Sequence, residues 1–340
     1  MSELRKDSRI YVAGHRGMVG SAVVRRLEAE GYTNIVTRGR EELDLTRQAD
    51  VEAFFAAEKP EAVVLAAAKV GGIHANNTYR AEFIYQNTMI AANVIHAAWK
   101  SGVRKLINLG SSCIYPRNAP QPMKEEHLLT GPLEPTNEPY AIAKIAAIKL
   151  CRSYHEQYGC NFLSLMPTNL YGPGDNYDPE TSHVLAALVR KVCEARDTGA
   201  PAVEVWGDGR PLREFLHVDD LAAAVQFALE RIDAGQLTAM GLPDLFLNVG
   251  SGEEISIRGL AELICRVAGY EGKLVYDTSR PNGTPRKLMD SGRLCAAGWQ
   301  FSVRLEDGIA KITSLNPDNS AQKKAPISKT YEASIVRERS

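Results

Sequence analysis

The chain has 340 residues, 44% of them apolar and 24% charged, which suits one large domain or two and a sizeable core. Forty Lys and Arg against 41 Asp and Glu leave a net charge of −1, so no broad basic field is available to hold nucleic acid or an anionic membrane. No apolar run approaches the ~18 residues of a membrane-spanning helix, and the six cysteines, at positions 113, 151, 160, 193, 265 and 295, have neither the density of a disulfide scaffold nor the paired spacing of a zinc site.

From the N-terminus, Met1 to Arg9 is charged and runs into a short apolar segment ending at Gly14, unlike the long apolar region of a secretory signal. With the scattered cysteines this predicts a cytoplasmic protein without a metal. Strands are then expected at Ile10 to Ala13, Asn34 to Thr37, Val63 to Ala66, Leu106 to Leu109 and Phe162 to Met166. Helical patterns fall between them, at Ala22 to Glu30, Gln48 to Glu58, Ala81 to Lys100 and Tyr140 to Tyr158. That alternation predicts an α/β fold, a Rossmann-type doubly wound parallel sheet whose strands read as continuous apolar runs because helices cover both faces. After Pro167, clusters of Gly, Pro and Asp announce a smaller C-terminal substrate-binding lobe, with shorter elements such as Ala202 to Trp206 and Ala222 to Leu229. The expected division is a sheet domain over 1–170, mainly a second lobe over 171–315 and a disordered polar tail over 316–340. The apolar strand near 245–249 is expected to return to the sheet.

Gly14, Gly17 and Gly20 follow the first strand and open the first helix. Glycines there permit a tight turn and close approach to a pyrophosphate, while the helix N-terminus offers unpaired N–H groups. The turn, with His15, Arg16, Met18 and Val19 between the glycines, is therefore a dinucleotide cradle. At the end of the second strand an acidic residue would suit NAD and cations would suit the extra phosphate of NADP. Here Thr37, Arg38, Gly39 and Arg40 stand at that end, and with Arg16 they favour NADP; Glu41 and Glu42 read as surface partners of these arginines. Asp44 reads equally as a partner for the adenine edge or as a turn residue.

Tyr140 and Lys144 lie four apart on a predicted helix opened by Asn137 as cap and Pro139 in its first turn, so their side chains share a face. A neighbouring ammonium favours the phenolate and lowers the phenol pKa from its usual ~10. Ser111, Ser112 and Cys113 follow the strand Leu106 to Leu109, at the carboxyl edge where ligands bind in such sheets. Ser111 can hold a substrate carbonyl that Tyr140 protonates while a nicotinamide delivers hydride.

Strand-end Ser, then Tyr and Lys, after a glycine-rich cofactor turn, resemble the extended short-chain dehydrogenase/reductase superfamily. Within it, GHRGMVG (14–20), AAAKVGG (66–72), GSSCIYP (110–116), EPTNEPYAIAK (134–144), MPTNLYGP (166–173) and REFLHVDD (213–220) resemble the GDP-L-fucose synthase family, over about Ile10 to Trp299. The resemblance implies a two-step reaction on GDP-4-keto-6-deoxy-D-mannose: inversion at carbons 3 and 5, then NADPH-dependent reduction at carbon 4. It implies that Ser111 and Tyr140 hold the carbonyl oxygen, that Lys144 tunes Tyr140 and binds the nicotinamide ribose, and that Cys113 and His183 move ring protons, with acid and base unassigned. A thiol near ~8.5 and an imidazole near ~6.5 straddle neutral pH, which suits such exchange.

By the same resemblance, NADP is held by the 14–20 turn, Arg40, Lys144, the backbone of Pro167, Thr168, Asn169 and Leu170, and His183. The GDP-sugar is held by Lys191, Trp206, Arg213 and Asp277, with Arg190 an alternative to Lys191 and Trp206 equally readable as a core aromatic. The superfamily also implies a homodimer through the helices at Ala81 to Lys100 and Tyr140 to Tyr158, with Ile84, Ile95, Ile145 and Leu150 either at that interface or covering the sheet. His217, Asp219 and Asp220 read as cap and packing. Competing readings are another nucleotide-sugar 4-epimerase or 4-ketoreductase of the same fold, and a non-catalytic NADP-binding regulator.

Overall fold

A computed structural model describes residues 4–179, 181–280 and 282–314. The first half alternates strand and helix: β1 (Ile10–Ala13), α1 (Met18–Ala29), β2 (Ile35–Val36), α2 (Gln48–Glu58), β3 (Ala62–Leu65), α3 (Ile73–Thr78), α4 (Arg80–Lys100), β4 (Lys105–Leu109), α5 (Glu138–Tyr158) and β5 (Phe162–Pro167). The second half is built of shorter pieces: β6 (Asn169–Tyr171), α6 (Val184–Thr198), β7 (Ala202–Trp206), β8 (Leu212–His217), α7 (Val218–Arg231), α8 (Ala234–Ala239), β9 (Phe246–Val249), β10 (Glu254–Ser256), α9 (Ile257–Ala268), β11 (Lys273–Asp277), β12 (Arg286–Lys287), α10 (Gly292–Ala296) and α11 (Leu305–Ser314).

Six parallel strands form the central sheet in the order β2-β1-β3-β4-β5-β9. Side chains alternate across it: Ile10, Val12, Ala62 and Val64 join one core with α1 and α7, while Tyr11, Ala13, Val63 and Leu65 join another with α2, α4 and α5. This two-sided burial explains why β1 and β3 are apolar at every position, while the few polar residues of the other strands, Lys105, Asn108, Ser164 and Asn248, are buried. The chain runs outward one way from β1 to β2 and the other way from β3, so the carboxyl ends of β1 and β3 flank the switch point at which open α/β sheets bind ligands. The sheet layer also takes in α7 and β9 from the second half of the chain. On α7, Leu221, Val225 and Leu229 fit against α1, and β9 pairs with β5 in register from Ser164 with Phe246 to Pro167 with Val249.

The remaining elements pack around a separate core of Leu185, Val189, Val203, Val205, Leu260 and Ile264. Here β8 pairs with β10, β12 and β6, and β7 pairs in parallel with β11. Along β7, Val203 and Val205 are buried while Ala202, Glu204 and Trp206 are exposed, the alternation of a strand with one face in water. Ile95 and Ile145 are buried within the chain, whereas Ile84, Tyr85, Ile142 and, at the end of α5, Tyr158 are large exposed apolar residues of α4 and α5. The polar segment from Asn316, expected to be disordered, lies outside the described residues. Among the described residues no helix is long and apolar enough to cross a membrane, and no cluster of metal-ligating side chains occurs.

Candidate active site

The cradle at the end of β1 is shaped by steric necessity. Gly14 has φ +87°, and a Cβ there would lie 2.7 Å from Ala67 N, on the loop leaving β3. At Gly20, a Cβ would lie 2.1 Å from Gly14 O, so α1 can start this close to the turn only with a bare backbone. Gly17, hydrogen-bonded to Gly14 O at 3.0 Å, is the N-cap residue of α1. Its side-chain-free cap and the first helical N–H groups leave an anion-binding surface. His15 Nδ1 is buried there with no hydrogen-bond partner among the described residues. A dinucleotide pyrophosphate fits this arrangement.

At the neighbouring corner Arg16 pairs with Glu41, and Arg38 with Glu58 and Thr37 O. Arg40 is exposed. Asp44 takes the turn-residue alternative, its Oδ1 accepting from Thr46 N at 3.0 Å and Thr46 Oγ1 at 2.8 Å. Beyond β5, the Thr168 and Asn169 side chains donate to Glu214 O, so this segment can present only backbone groups to a ring in the cleft.

The reactive groups gather past β4. Ser111 caps a short 3-10 turn (Ser112–Ile114), its Oγ accepting from Cys113 N at 3.5 Å. Burial pushes the Cys113 thiol up, opposed by the nearby Lys287 and Lys144 amines and by Ser111. On α5, Pro139 occupies the first turn as expected, whereas the Asn137 side chain makes no capping bond and its Oδ1 is buried without a partner among the described residues. Lys144 Nζ donates to Leu109 O at 2.7 Å and lies 5.7 Å from the Tyr140 ring centre. Burial lowers Lys144 to about 8. The expected lowering of Tyr140 by Lys144 is absent: desolvation dominates, the nearby thiol adds to it, and the phenol is held well above its ordinary value. Phe83 meets the Tyr140 ring edge-on at 6.2 Å.

His183 occupies the N-cap position of α6 without its imidazole capping the helix. The ring stays open to solvent, yet the protein crowding around it and then the Lys287 charge lower its pKa. At neutral pH the cleft therefore holds a protonated thiol and an uncharged imidazole, both in the field of one amine.

Farther out, Lys191 Nζ donates to Glu204 O at 3.0 Å and stands 5.3 Å from the Trp206 ring centre. Arg190 turns away, to Glu194 at 3.0 Å. Trp206 is 54% exposed, which removes the core-aromatic alternative; its Nε1 donates to Glu204 Oε1 at 2.9 Å. Arg213 is half-buried, and desolvation lowers its pKa. Asp277 Oδ1 takes hydrogen bonds from Ser279 Oγ (2.6 Å) and N (3.0 Å), which hold its carboxyl below the usual range, while Arg280 stands 3.6 Å from Oδ2. His217 and Asp220 are indeed cap and packing. His217 Nδ1 accepts from Asp219 N at 3.2 Å, and the Asp220 carboxylate binds Ser302 and Val303.

A sequence profile of the NAD dependent epimerase/dehydratase family matches residues 10–241. The chain belongs to that family. It is 60% identical over 306 residues to GDP-L-fucose synthase 1 of Arabidopsis thaliana, covering 90% of this chain and 92% of the relative. It is 56% identical over 302 residues to the GDP-L-fucose synthase of Escherichia coli K12, covering 89% and 94%. Among solved structures, a GDP-mannoheptose C4 reductase from Campylobacter jejuni with NADP bound superposes with a TM-score of 0.85 at 39% identity, covering 92% of this chain and 98% of that one.

Two residues of this epimerase-family cleft escaped the sequence reading. Lys287 lies beside Arg213 through the β12–β8 pairing, and its charge acts on Cys113 and His183, with Glu134 acting on it. A two-residue strand leaves no periodic signal, and only the folded sheet brings this lysine to the thiol. Arg280 stands 4.9 Å over the Trp206 ring; the Trp-adjacent strand pairing of β7 with β11 was equally invisible in sequence.

Proposed function

We propose that this chain converts GDP-4-keto-6-deoxy-D-mannose to GDP-L-fucose, inverting carbons 3 and 5 and then reducing the ketone at carbon 4. The observation that carries this is the proton-exchange pair. A ketoreductase needs Tyr140, Lys144 and a strand-end serine; a thiol and an imidazole facing the same amine are additional equipment for moving protons beside a ketone.

In the first step a C–H bond next to the ketone breaks, its proton passing to one of Cys113 and His183. The electron pair enters an enolate whose oxygen is held by Ser111 and Tyr140, in the field of Lys287. The other member of the pair returns a proton to the opposite face. NADPH, when bound along the Gly14–Gly20 turn, supplies the hydride for the second step. Tyr140 then gives its phenolic proton to the oxygen at carbon 4, and the Lys144 ammonium stabilises the phenolate left behind. Arg40 and Arg16 would hold the 2′-phosphate, and His183 and the backbone of 167–170 would border the nicotinamide. Lys191 and Arg213 would face the diphosphate, Trp206 the guanine or ribose, and Asp277 would accept through Oδ2, the oxygen that Ser279 leaves open.

On this reading residues 1–170 with β9 bind the cofactor and 171–315 mainly the GDP-sugar. Six unpaired cysteines support a reducing cytoplasm. The exposed Ile84, Tyr85 and Ile142 support a homodimer through α4 and α5; a monomeric mass in sedimentation at micromolar concentration removes that part.

The deciding experiment follows NADPH oxidation with enzymatically generated GDP-4-keto-6-deoxy-D-mannose and identifies the product by NMR. GDP-L-fucose is the expected product. An unepimerised GDP-deoxyhexose reduces the reading to a ketoreductase, and no oxidation refutes it.

A further inference from the structure

Asn87 has no part in the chemistry above, yet it is 4% exposed and fully engaged. Its carboxamide lies along the loop that leaves β3. Oδ1 accepts from Lys69 N at 2.8 Å, and Nδ2 donates to Lys69 O at 3.0 Å and to Phe83 O at 2.8 Å. An amide that satisfies both backbone groups of one residue does for this loop what a neighbouring strand does for a strand.

The loop then reaches across the cleft. Gly72 N donates to Thr181 O at 3.0 Å, and a Cβ on Gly72 would stand 3.0 Å from Thr181 O and 3.2 Å from Ser182 O. His183 is the next residue. Inside the loop, Asn76 Nδ2 ties Gly71 O at 2.6 Å and Gly72 O at 3.1 Å, so displacement at one end is transmitted to the other. One turn before Asn87 on α4, Phe83 packs on Tyr140. A single helix thus references both Tyr140 and, through the loop, the segment that carries His183.

We propose that Asn87 is a positioning residue for the epimerisation: by pinning Lys69 it holds Gly72 against Thr181 and fixes His183 relative to the Cys113 and Tyr140 side of the cleft. This rests on the epimerase-reductase reading. Its consequence is selective, because Ser111, Tyr140 and Lys144 sit at the end of β4 and on α5, and the Phe83 ring on Tyr140 belongs to α4 and not to the loop.

The test uses the full chain with Asn87→Ala and Gly72→Ala. Both should still bind NADPH through the Gly14–Gly20 turn, with any weakening confined to the border that His183 makes with the nicotinamide. Misplacement on the scale of 1 Å costs about a hundredfold in such reactions, so deuterium uptake from solvent next to the ketone, measured without NADPH, should fall about 10- to 100-fold. With NADPH present, oxidation should continue and the product should shift toward GDP-deoxyhexose not inverted at both carbons. A merely structural role would slow exchange and reduction in proportion and leave GDP-L-fucose as the product, which overturns the inference while the reading stands. Should Asn87→Ala not fold, because Lys69 is left with unpaired backbone groups, Gly72→Ala decides alone: it removes no hydrogen bond and its φ of −65° suits alanine. A wild-type chain that takes up no deuterium overturns the functional reading and this role with it.

Discussion

Replacing Gly20 by alanine puts a methyl carbon where three backbone atoms already stand. The added Cβ would lie 2.1 Å from Gly14 O, 2.6 Å from Gly14 C and 2.9 Å from His15 Cα. None belongs to a side chain that can swing aside, so relief requires α1 to move about 1 Å away from the turn, toward ordinary contact separations. Overpacking of this kind costs about 1–3 kcal/mol, which at roughly 2–4 °C per kcal/mol lowers the melting temperature by about 2–12 °C. The same movement carries the first helical N–H groups off the pyrophosphate. A hydrogen bond to a charged group is worth about 1.5–3 kcal/mol, so losing one weakens NADPH binding about ten- to a hundredfold. Gly17→Ala is the control. Its nearest contact would be 3.4 Å from Gly14 O at φ −81°, and stability should stay within about 0.5 kcal/mol of the wild type. NADPH titration by fluorescence and thermal unfolding read both effects. A Gly20→Ala chain that melts and binds NADPH as the wild type does would refute the steric account of the cradle.

Cys113→Ser should cut solvent-deuterium uptake next to the ketone by about 10²–10⁴, the usual contribution of a general acid or base, while NADPH oxidation persists with unepimerised product by NMR; unchanged uptake removes the thiol from the mechanism. Lys144, lowered to about 8 by burial, is charged below that pH and neutral above it. Ketone reduction should therefore decline as pH rises through about 8, in single-turnover measurements, and Lys144→Met should be slow with that limb abolished. Trp206→Ala should raise KM for the GDP-sugar about 5- to 150-fold, the loss of about 1–3 kcal/mol of base stacking. With the ring 54% exposed, kcat and melting temperature should change little; an unchanged KM places the base elsewhere.

The sheet was legible because its burial is two-sided: Ile10 to Ala13 and Ala62 to Leu65 can be apolar throughout only where helices cover both faces. The second lobe was legible only in part: its onset after Pro167 and β7 at Ala202 to Trp206 were expected, but α9 was not, although its signals stood in the sequence. α9 is capped by Ser256, whose Oγ accepts from Gly259 N at 3.0 Å, and is closed by Gly269, with Leu260, Ala261, Ile264 and Ala268 on its buried face. The alternation along β7 is the signal that would have placed Trp206 on the wet side with Glu204, where the sequence reading left a core position open. What no local pattern carries is pairing between short strands distant in sequence. β12 has two residues, and its register, Lys287 with Arg213, sets a lysine whose charge acts on the Cys113 thiol. Lys144 misled for a related reason. Helical spacing correctly set it on the face of Tyr140, but the sequence could not show that its amine would be taken by Leu109 O or that burial would outweigh its charge.

That raised phenol bears on how one cleft can run two reactions in the required order. The C–H groups at carbons 3 and 5 are acidic only while carbon 4 is a ketone, so hydride transfer before inversion ends the chance to invert. An enolate oxygen is a far weaker base than the alkoxide formed by hydride addition. A Tyr140 held well above its ordinary pKa can donate a hydrogen bond to the first without surrendering its proton, yet must surrender it to the second. On the proposed assignment the thiol and imidazole would work at the other extreme, both uncharged at neutral pH and with Lys287 favouring negative charge on the thiol. On that assignment burial, with the neighbouring thiol adding to it at Tyr140, would separate the proton lent during epimerisation from the one spent in reduction.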